Sequence, residues 1–479
     1  MRILIDLIAS SNTEHIRVVE ELQKHHKILY WINMEGTVAI DKPTFPNTIF
    51  HNYHDAVKNI SPKDINVSAF QPWGTDEITA LSKWEMTFLI MMDKFYPYWS
   101  VTKRYDFYYD LLRYWGGVLG ELKPDCIIFN GPPHQMYNLV LYTIAKHRGI
   151  KTILFDVTFR LDRITLYEDF TVGNKTVAKE RESGFGGPAV SLEDLAPHVR
   201  EHYNQVSGSE KPSPHHFAYF KKEHSPVREL VRRTKALWPF LKDGSIYERA
   251  VARLFKILKS NSKDEYAKYT KPVNLGKPYV YVPLNYQPEC TTSPLGDIFV
   301  DQVLMIKMLS AALPDGWEIY VKEHPAQWPA HLGDFTPQRY RGFYADIAAV
   351  PHVRLVPVGV NTFELADHAR ATATVSGTAG WESIVRGKCS LIFGYPWFMN
   401  APGIFRVSSV SGCHEALVRI ASGEKPDIGQ LFKYLACLDA VSFWGFLDAL
   451  AHRPKTYDVE KEWSDMYHAL ERALSDAGK

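Results

Sequence analysis

The segment SGTAG, residues 376–380, combines residue types that suit the binding of a phosphate group. Gly377 and its small neighbours let the backbone approach an anion, and the N–H groups at the start of a following helix favour negative charge. Ser376 and Thr378 add hydroxyl donors. Many α/β proteins place such residues here only to cap a helix, so capping is the alternative. The segment has neither the Gly-Lys-Ser/Thr of a Walker loop nor the G-x-G-x-x-G spacing of a dinucleotide site.

A second segment, KEHP at residues 322–325, places a cation and an imidazole together. Lys322 and His324 can neutralise a pyrophosphate or phosphodiester leaving group, and Pro325 fixes the turn that presents them. The alternative is a surface turn with an ordinary histidine. Its predicted position opposite SGTAG favours the functional interpretation.

The third segment is the loop NYQPECTTSPLGD, which follows an apolar run. Glu289 and Asp297 are candidate acid–base or nucleophilic carboxylates, and Gln287 and the threonines of the loop are candidate hydrogen-bonding groups. Glu289 is preferred because Pro288 stiffens the chain just before it. Asp297 has an equally supported alternative, which is to cap a helix that begins at the next residue.

Each of the three segments follows a predicted strand, and this gives them a common place in the fold. Ligands of open α/β sheets bind outside the carboxyl ends of the strands. The sequence therefore predicts a binding site where these segments meet. The predicted strands of this half are YVYVPL, Trp317–Lys322, His352–Leu355, Ala371–Val375 and Ser390–Phe393, with helices near Ile298–Ala312, Thr362–Ala369 and after SGTAG.

The N-terminal half shows the same alternation of strands and helices, which is typical of a parallel, doubly wound sheet. The predicted elements are strand Met1–Ile8, a cap at Ser10–Thr13, strand Lys27–Asn33, a helical region over Thr79–Gly120, strand Asp125–Asn130, helix Met136–Arg148 and strand Lys151–Asp156.

Polar residues also follow two strands of this half. His134 lies in the loop GPPHQ, and Asp156 ends a strand with Arg160 and Arg163 close behind. Arginines and a carboxylate that face an interdomain cleft would suit an acidic or hydroxyl-rich acceptor. Structural salt bridges, and a helix cap for His134, are the competing interpretations.

The chain of 479 residues is too long for one compact core, so we expect two α/β domains. The predicted division is an N-terminal acceptor domain (1–170), a helical insertion (171–274), a donor domain (275–425) and helices that pack back on the body (426–479). Within the insertion, residues 221–259 carry eleven Lys/Arg against four acids. This stretch is either a solvated helix pair or a peripheral membrane contact.

Composition excludes several classes of protein. The net charge of +1 gives no reason to expect a nucleic-acid partner. Five scattered cysteines indicate neither a zinc site nor a disulfide framework, and they fit a reducing compartment. The start, MRILIDLIAS, fits a buried strand better than a signal peptide, and no apolar run approaches the ~18 residues of a membrane span. We therefore expect a cytoplasmic protein, with peripheral contact at the inner face of the membrane if the basic stretch binds there.

The series YVPLNYQPE…TTSPLGD, KEHP and SGTAGWESIVRGKCSLIFGYPW resembles the bacterial capsule polysaccharide synthesis proteins. That group is similar to GT-B glycosyltransferases, including enzymes that add Kdo from CMP-Kdo. The resemblance covers about Pro278–Trp397 well, and it is weaker in the N-terminal half, chiefly at IIFNGPPHQMYNLVLYTIAKHRGI. A His-Pro followed by a Ser/Thr-Gly loop is also similar to bacterial polysialyltransferases and to the CDP-glycerol polymerases of teichoic acid synthesis.

The resemblance implies two Rossmann-like, doubly wound domains that face a cleft, as in the GT-B fold, with a helical insertion. It implies a CMP-sugar donor, with His324 at its phosphate, Glu382 near the ribose, and Glu289 or Asp297 as the catalytic carboxylate. The predicted donor site comprises Gln287, Lys322, His324, Pro325, Ser376, Gly377, Thr378 and Glu382.

No cofactor and no metal are expected, because GT-B enzymes stabilise the leaving phosphate with protein groups and the sequence has no D-x-D string. The NYQPE loop departs from the Kdo transferase pattern, which leaves the donor sugar and retention versus inversion open. The alternatives are a transferase that uses a UDP- or GDP-sugar or CDP-glycerol, and a non-catalytic sugar-binding or scaffold subunit of capsule assembly. Polar loops at three strand ends argue against a scaffold.

Overall fold

The computed structural model describes residues 1–6, 14–34, 40–208, 261–328, 334–447 and 458–475. The predicted cap at Ser10–Thr13 and the basic stretch 221–259 lie outside these residues.

The described residues form thirteen strands in two sheets. The strands are β1 Arg2–Asp6, β2 Lys27–Asn33, β3 Ile49–Asn52, β4 Cys126–Phe129, β5 Lys151–Val157, β6 Arg163–Tyr167, β7 Tyr279–Pro283, β8 Glu318–Lys322, β9 Val353–Leu355, β10 Ala371–Thr374, β11 Ser390–Ile392, β12 Ile404–Arg406 and β13 Ser442–Trp444.

Helices cover both faces of each sheet. The α-helices of the described residues are α1 Glu14–Gln23, α2 Tyr53–Val57, α3 Thr75–Leu81, α4 Glu85–Met91, α5 Val101–Leu122, α6 Met136–His147, α7 Lys175–Glu182, α8 Pro197–Ser207, α9 Ser262–Tyr269, α10 Gln302–Ala311, α11 Phe343–Ala349, α12 Thr362–His368, α13 Ala379–Val385, α14 Val410–Ala421, α15 Ile428–Ala440 and α16 Val459–Ser475.

The second sheet has the strand order β12-β11-β10-β7-β8-β9, and all its pairs are parallel. In chain order this is 3-2-1-4-5-6, the order of a dinucleotide-binding Rossmann domain. The order reverses between β7 and β10, and ligands of such sheets bind beside that point. The three polar segments follow β7, β8 and β10, which are adjacent strands.

The first sheet has the order β13-β6-β5-β4-β1-β2-β3. Strands β1 to β5 are parallel and reverse their order between β1 and β4, whereas β6 and β13 add an antiparallel edge. The molecule thus has two doubly wound domains, and the predicted fold class is confirmed.

Alternating side chains of the first sheet supply two hydrophobic layers, as the period of a strand requires. Ile3 and Ile5 point to the layer formed by α1 and α16, and Leu4 points to the layer formed by α5 and α6. The C-terminal residues therefore pack on the N-terminal half, because β13 pairs with β6 and α16 contacts α1.

The aromatic region predicted as one helical stretch over Thr79–Gly120 is divided into three helices. Pro97 lies in the break between α4 and α5, where its ring and missing N–H oppose a continuous helix. Ser100 then starts α5 by accepting a hydrogen bond from the N–H of Lys103 at 3.3 Å. Strands β3, β6, β12 and β13 and helices α2, α11 and α14 were not predicted.

The two domains touch along one side of the loop after β7. The hydroxyl of Ser293 donates to the carbonyl of Thr87 in α4 at 3.2 Å, and Leu295 and Tyr395 pack on the core of the N-terminal domain. The loop that carries Glu289 therefore lies where the domains meet.

Candidate functional site

The loops after β7 and β10 are joined directly. The Ser376 hydroxyl donates to the backbone carbonyl of Thr291, and Ser376 is 6% exposed. Ser376, predicted to donate a hydrogen bond to a phosphate, therefore holds the loop after β10 against the loop after β7. This contact fixes the arrangement of the carboxyl edge of the sheet.

Gly377 is required by close packing at the same place. Its N–H donates to the Thr374 hydroxyl at 3.1 Å, and that hydroxyl donates to Asn285 Oδ1 at 3.1 Å. A Cβ at position 377 would lie 2.9 Å from the Thr374 oxygen and 3.2 Å from Asn285 Nδ2. A side chain here would push apart the ends of β7 and β10.

The KEHP segment is anchored by a buried ion pair that the sequence did not reveal. Glu323 and Arg339 are each 1% exposed, and Arg339 Nε lies 2.7 Å from Glu323 Oε2. Tyr344 donates to the same oxygen at 2.6 Å, and Glu323 Oε1 accepts from the N–H of His324 at 2.7 Å. A buried carboxylate with this many partners is held rigidly, and it fixes the backbone next to His324.

His324 is oriented by a second contact. The N–H of Ala326 donates to His324 Nδ1 at 3.2 Å, so in the neutral ring the proton belongs on Nε2. The ring of Tyr286 lies 5.9 Å from the imidazole, centroid to centroid. The imidazole is half-buried at the end of β8 and can present an N–H donor to a phosphate oxygen.

Two residues predicted to bind the donor are engaged within the protein. Lys322 is 8% exposed and donates to the carbonyl of Val360 and the hydroxyl of Thr362, so its ammonium group stabilises the loop before α12. Gln287 is 3% exposed, and its side-chain oxygen accepts from Gln302 and from Arg339, each at 2.8 Å. The structure assigns both side chains to the framework of the site.

Asp297 does not cap a helix, so that alternative is wrong. Helix α10 begins at Gln302, and Asp301 caps it by accepting from the N–H of Val303 at 2.9 Å. Asp297 instead starts a 3-10 turn with φ +50° and accepts from the Tyr395 hydroxyl at 2.8 Å. The nitrogen of Lys83, from the other domain, lies 3.8 Å away, so Asp297 belongs to the contact between domains.

The remaining predicted donor residues lie at the surface of the same edge. Thr378 is the exposed N-cap residue of α13, and no hydrogen bond from its side chain caps the helix. Glu382 is half-buried in the first turn of α13, and Pro325 is exposed. These positions allow contact with a ligand at this edge of the sheet.

Glu289 belongs to a cluster of ionisable groups that spans both domains, which we call the cleft cluster. Its members are Lys94, His134, Asp156, Glu289 and Cys290. Burial raises the pKa of Glu289, while the Thr291 hydroxyl, 3.0 Å from Oε2, and the Lys94 ammonium lower it. Burial lowers the pKa of Lys94, and Glu289 and Cys290 oppose that shift.

Three members of the cluster, Lys94, His134 and Glu289, are reached by solvent, yet their pKa values are shifted by withdrawal from bulk water. Both observations hold for side chains that line a cleft, where solvent has access from one direction only.

Asp156 lies at the carboxyl end of β5 in the N-terminal domain, and its charge acts on the Cys290 thiol of the loop after β7. Burial raises the pKa of Asp156 to about 7, against the opposing effects of the Tyr167 hydroxyl and the N–H of Val157. Burial raises the pKa of the Cys290 thiol, and the charges of Asp156 and Glu289 raise it further. A carboxyl group that titrates near neutral pH is suited to general acid–base work.

His134 has a defined tautomer in its neutral form. Its Nδ1 lies 3.0 Å from the carbonyl of Pro132, which can only accept, so Nδ1 donates and Nε2 keeps its lone pair. Burial lowers the His134 pKa, and Lys94 lowers it further. The N-cap of α6 is Gln135, so the capping alternative for His134 is wrong.

The two arginines predicted to face the cleft are held in ion pairs. Arg163 is 5% exposed, and its guanidinium binds Asp439 at 2.6 Å, which attaches α15 to the first sheet. Arg160 binds Asp162 at 2.9 Å and Glu201 at 3.2 Å. The competing structural interpretation is therefore the correct one for both residues.

Sequence reasoning also missed Asp6, which ends β1 at the reversal point of the first sheet. It is 1% exposed and accepts from the Tyr137 hydroxyl at 2.7 Å and from Asn138 Nδ2 at 3.1 Å. Burial raises its pKa to about 6. The available sequence signal was a carboxylate that ends an otherwise apolar strand.

Residues 291–411 match a family model described as "Capsule polysaccharide biosynthesis protein". This segment of the chain is therefore similar to the capsule polysaccharide biosynthesis proteins. The match includes KEHP and SGTAG and confirms the predicted resemblance over about a quarter of the chain. No curated protein matches the chain.

Solved structures give distant likenesses. One is Thermosulfurimonas dismutans KpsC, beta Kdo 2,7 transferase, with 11% identity, coverage of 76% of this chain and 88% of that chain, and a TM-score of 0.27. Another is Thermosulfurimonas dismutans KpsC, beta Kdo 2,4 transferase, with 14% identity, coverage of 65% of this chain and 90% of that chain, and a TM-score of 0.26. A third is the UDP-GlcNAc 2-epimerase of Neisseria meningitidis, with 11% identity, coverage of 99% of this chain and 100% of that chain, and a TM-score of 0.25. Likenesses at these TM-scores support no conclusion about substrate or mechanism.

No group of three or more His, Cys, Asp or Glu side chains among the described residues is arranged to hold a metal ion. Within the same part of the chain, no helix has the length and apolarity needed to cross a membrane.

Proposed function

We propose that this chain is a glycosyltransferase of bacterial capsule or other surface-polysaccharide synthesis. It transfers Kdo, or a related acidic sugar, from a CMP-sugar to a glycan or glycolipid acceptor. The observation that carries the proposal is the meeting of three polar loops at the reversal point of a Rossmann sheet, opposite ionisable groups of a second domain. The family match over residues 291–411 agrees with this class of protein.

The donor phosphate is proposed to lie between the ends of β8 and β10. His324 offers its Nε2–H, and the loop that contains Gly377 and Thr378 offers backbone N–H groups and a hydroxyl. Glu382, one turn into α13, is placed near the ribose. The anchored Glu323 holds this arrangement before the ligand arrives, which reduces the entropy lost on binding.

The transfer itself is assigned to the cleft cluster. The acceptor oxygen forms a bond to the anomeric carbon, the bond from that carbon to the phosphate oxygen breaks, and CMP leaves. Glu289, on the donor loop, is the proposed catalytic carboxylate at the sugar, and Asp156 is the proposed acceptor of the hydroxyl proton. The departing phosphate is stabilised by His324 and backbone N–H groups, with no metal.

A nucleotide panel tests the donor assignment. With CMP at 100-fold its Kd, the free energy of unfolding should increase by about 2.7 kcal/mol, and UMP and GDP should have little effect. The variant His324→Ala should show a smaller increase, whereas Ile60→Ala, at an exposed site of the other domain, should behave as wild type.

Three results would count against the proposal. Selective stabilisation by UDP or GDP would reject cytidine, and stabilisation by no nucleotide would favour a sugar-binding or scaffold subunit. Transfer assays in excess EDTA test the metal: complete loss of activity that Mg²⁺ restores would reject a metal-free mechanism.

A further inference from the structure

The loop between α4 and α5 exposes apolar side chains at one place. Tyr98 is 97% exposed, Val101 65% and Phe95 38%. A single exposed apolar residue is ordinary, but three within seven residues form a concentrated patch. We call residues 94–103 the aromatic loop.

The aromatic loop is held rigidly from below by one guanidinium. Arg104 pairs with Asp93 at 2.6 Å and donates to four backbone carbonyls around the loop. These carbonyls belong to Leu89, Tyr96, Pro97 and Trp99, at 3.0–3.2 Å. The exposed side chains are therefore presented by a fixed backbone.

The loop has an inner and an outer aromatic layer. Tyr96 and Trp99 stack with centroids 4.0 Å apart and planes 19° apart, and Phe107 of α5 lies edge-on behind them. These rings satisfy the packing needs of the domain. The outer side chains, Tyr98 and Val101, have no comparable share in that packing and remain at the surface.

Charge on the loop has one sign. Lys94 and Lys103 are exposed at its two ends, and the sequence KFYPYWSVTK contains no acidic residue. Aromatic and aliphatic side chains flanked by lysines suit the headgroup region of a bilayer, where rings enter the interface and ammonium groups meet anionic lipid. A site for a soluble glycan would instead need several hydrogen-bonding side chains around the rings, whereas the outer residues here include Val101 and Phe95.

The aromatic loop also borders the cleft. The Lys94 ammonium acts on the pKa values of Glu289 and His134, and Asp93 accepts from Gln338 Nε2 of the other domain at 2.9 Å. A surface that contacts the aromatic loop therefore lies beside the cleft cluster.

We propose that the aromatic loop docks the protein on an anionic bilayer surface, with Tyr98 and Val101 inserted into the interface and Lys103 against the headgroups. This contact brings the mouth of the cleft to the membrane. The docking does not depend on which donor or acceptor the cleft binds, and a failed nucleotide test would leave it standing.

The test is cosedimentation of the full chain with vesicles of phosphatidylcholine, with and without phosphatidylglycerol. The double change Tyr98→Ser and Val101→Ser should lower the partition coefficient by at least about tenfold, because two apolar side chains no longer leave water. Lys103→Gln should weaken binding only to vesicles with phosphatidylglycerol. Leu161→Ser, 52% exposed at another site, is the matched control and should bind as wild type.

The proposal is overturned if the wild-type chain does not sediment with vesicles containing phosphatidylglycerol, or if the double variant binds as well as wild type. Binding that survives in the double variant but is lost in Arg232→Gln/Arg233→Gln assigns the contact to the basic stretch and also overturns it. If the double variant binds vesicles as well as wild type but binds a soluble capsular oligosaccharide more weakly, the loop is a glycan site.

Discussion

The carboxyl ends of the two sheets differ in how their polar groups are used. At the second sheet, Gln287, Lys322 and Ser376 are buried and bonded within the chain, around the ion pair of Glu323 and Arg339. At the first sheet, burial shifts the pKa values of Asp6, His134 and Asp156. The first arrangement builds a rigid surface, and the second supplies groups that can exchange protons.

This difference has a physical reason. A phosphate site gains affinity from donors that are fixed in advance, so internal hydrogen bonds serve binding. An acid–base group must instead be able to change its charge near working pH, so it is better left with few partners and little solvent. In the proposed function, the rigid edge of the second sheet holds the donor, and the cleft cluster carries out the transfer.

The largest loss of stability is expected when the buried ion pair of Glu323 and Arg339, beside the KEHP segment, is broken. Arg339→Met should lower the free energy of unfolding by about 3–5 kcal/mol, because Glu323 would be left buried and unpaired. Arg160→Met removes two solvent-accessible ion pairs, with Asp162 and Glu201, and should cost less than about 1 kcal/mol. Urea unfolding measures the stability of both variants. Equal losses would show that the ion pairs of Arg339 and Arg160 stabilise their domains to the same extent.

A second change separates chemistry from binding within one loop. Glu289→Gln keeps the shape and removes the charge, so turnover should fall by roughly 100-fold or more while CMP affinity changes little. Asp297→Asn should keep most of its activity, because Asp297 is engaged with Tyr395 and Lys83. Steady-state kinetics and nucleotide titration distinguish the two variants. A dead but stable Asp297→Asn beside an active Glu289→Gln would reverse the assignment.

The pH dependence should reveal Asp156. It must be ionised to accept a proton, and its pKa is about 7, so turnover should fall about tenfold per unit as pH drops below 7. Its folded pKa lies above the usual 3.8, so its contribution favours the fold at low pH and is lost as pH rises through 7. Relative to wild type, Asp156→Asn should therefore become more stable as pH rises from about 4 to about 8.

A flat activity profile from pH 5 to 8, together with stability curves that run in parallel, would remove Asp156 from the mechanism. Tyr167→Phe is a more specific test of the role of Asp156. It deletes the hydroxyl that lowers the Asp156 pKa, and it should move the activity profile to higher pH without abolishing turnover.

Much of the fold and the location of the candidate site could be predicted from the sequence. Strands such as β2 Lys27–Asn33 are apolar runs bounded by polar residues, and the loops KEHP and SGTAG follow such runs directly. These signals are local in sequence. Because the carboxyl ends of parallel strands share one edge, the order of strands and loops already predicts that the loops meet.

The roles of individual residues were decided by partners far away in sequence. Arg339 lies 16 residues from Glu323, Thr291 lies 85 from Ser376, and Tyr395 lies 98 from Asp297. No local pattern relates such pairs, so Lys322 and Gln287 resembled ligand-binding groups and Arg163 a cleft residue until their partners were seen.

The sequence by itself determined two doubly wound domains and the sheet edge that carries the candidate site, because periodicity and turn residues act within a few positions. The tertiary structure decided which polar side chains support that edge and which ones face the cleft. A carboxylate or a cation has the same sequence signal in either role, and only the folded chain determines whether another group of the protein already satisfies it.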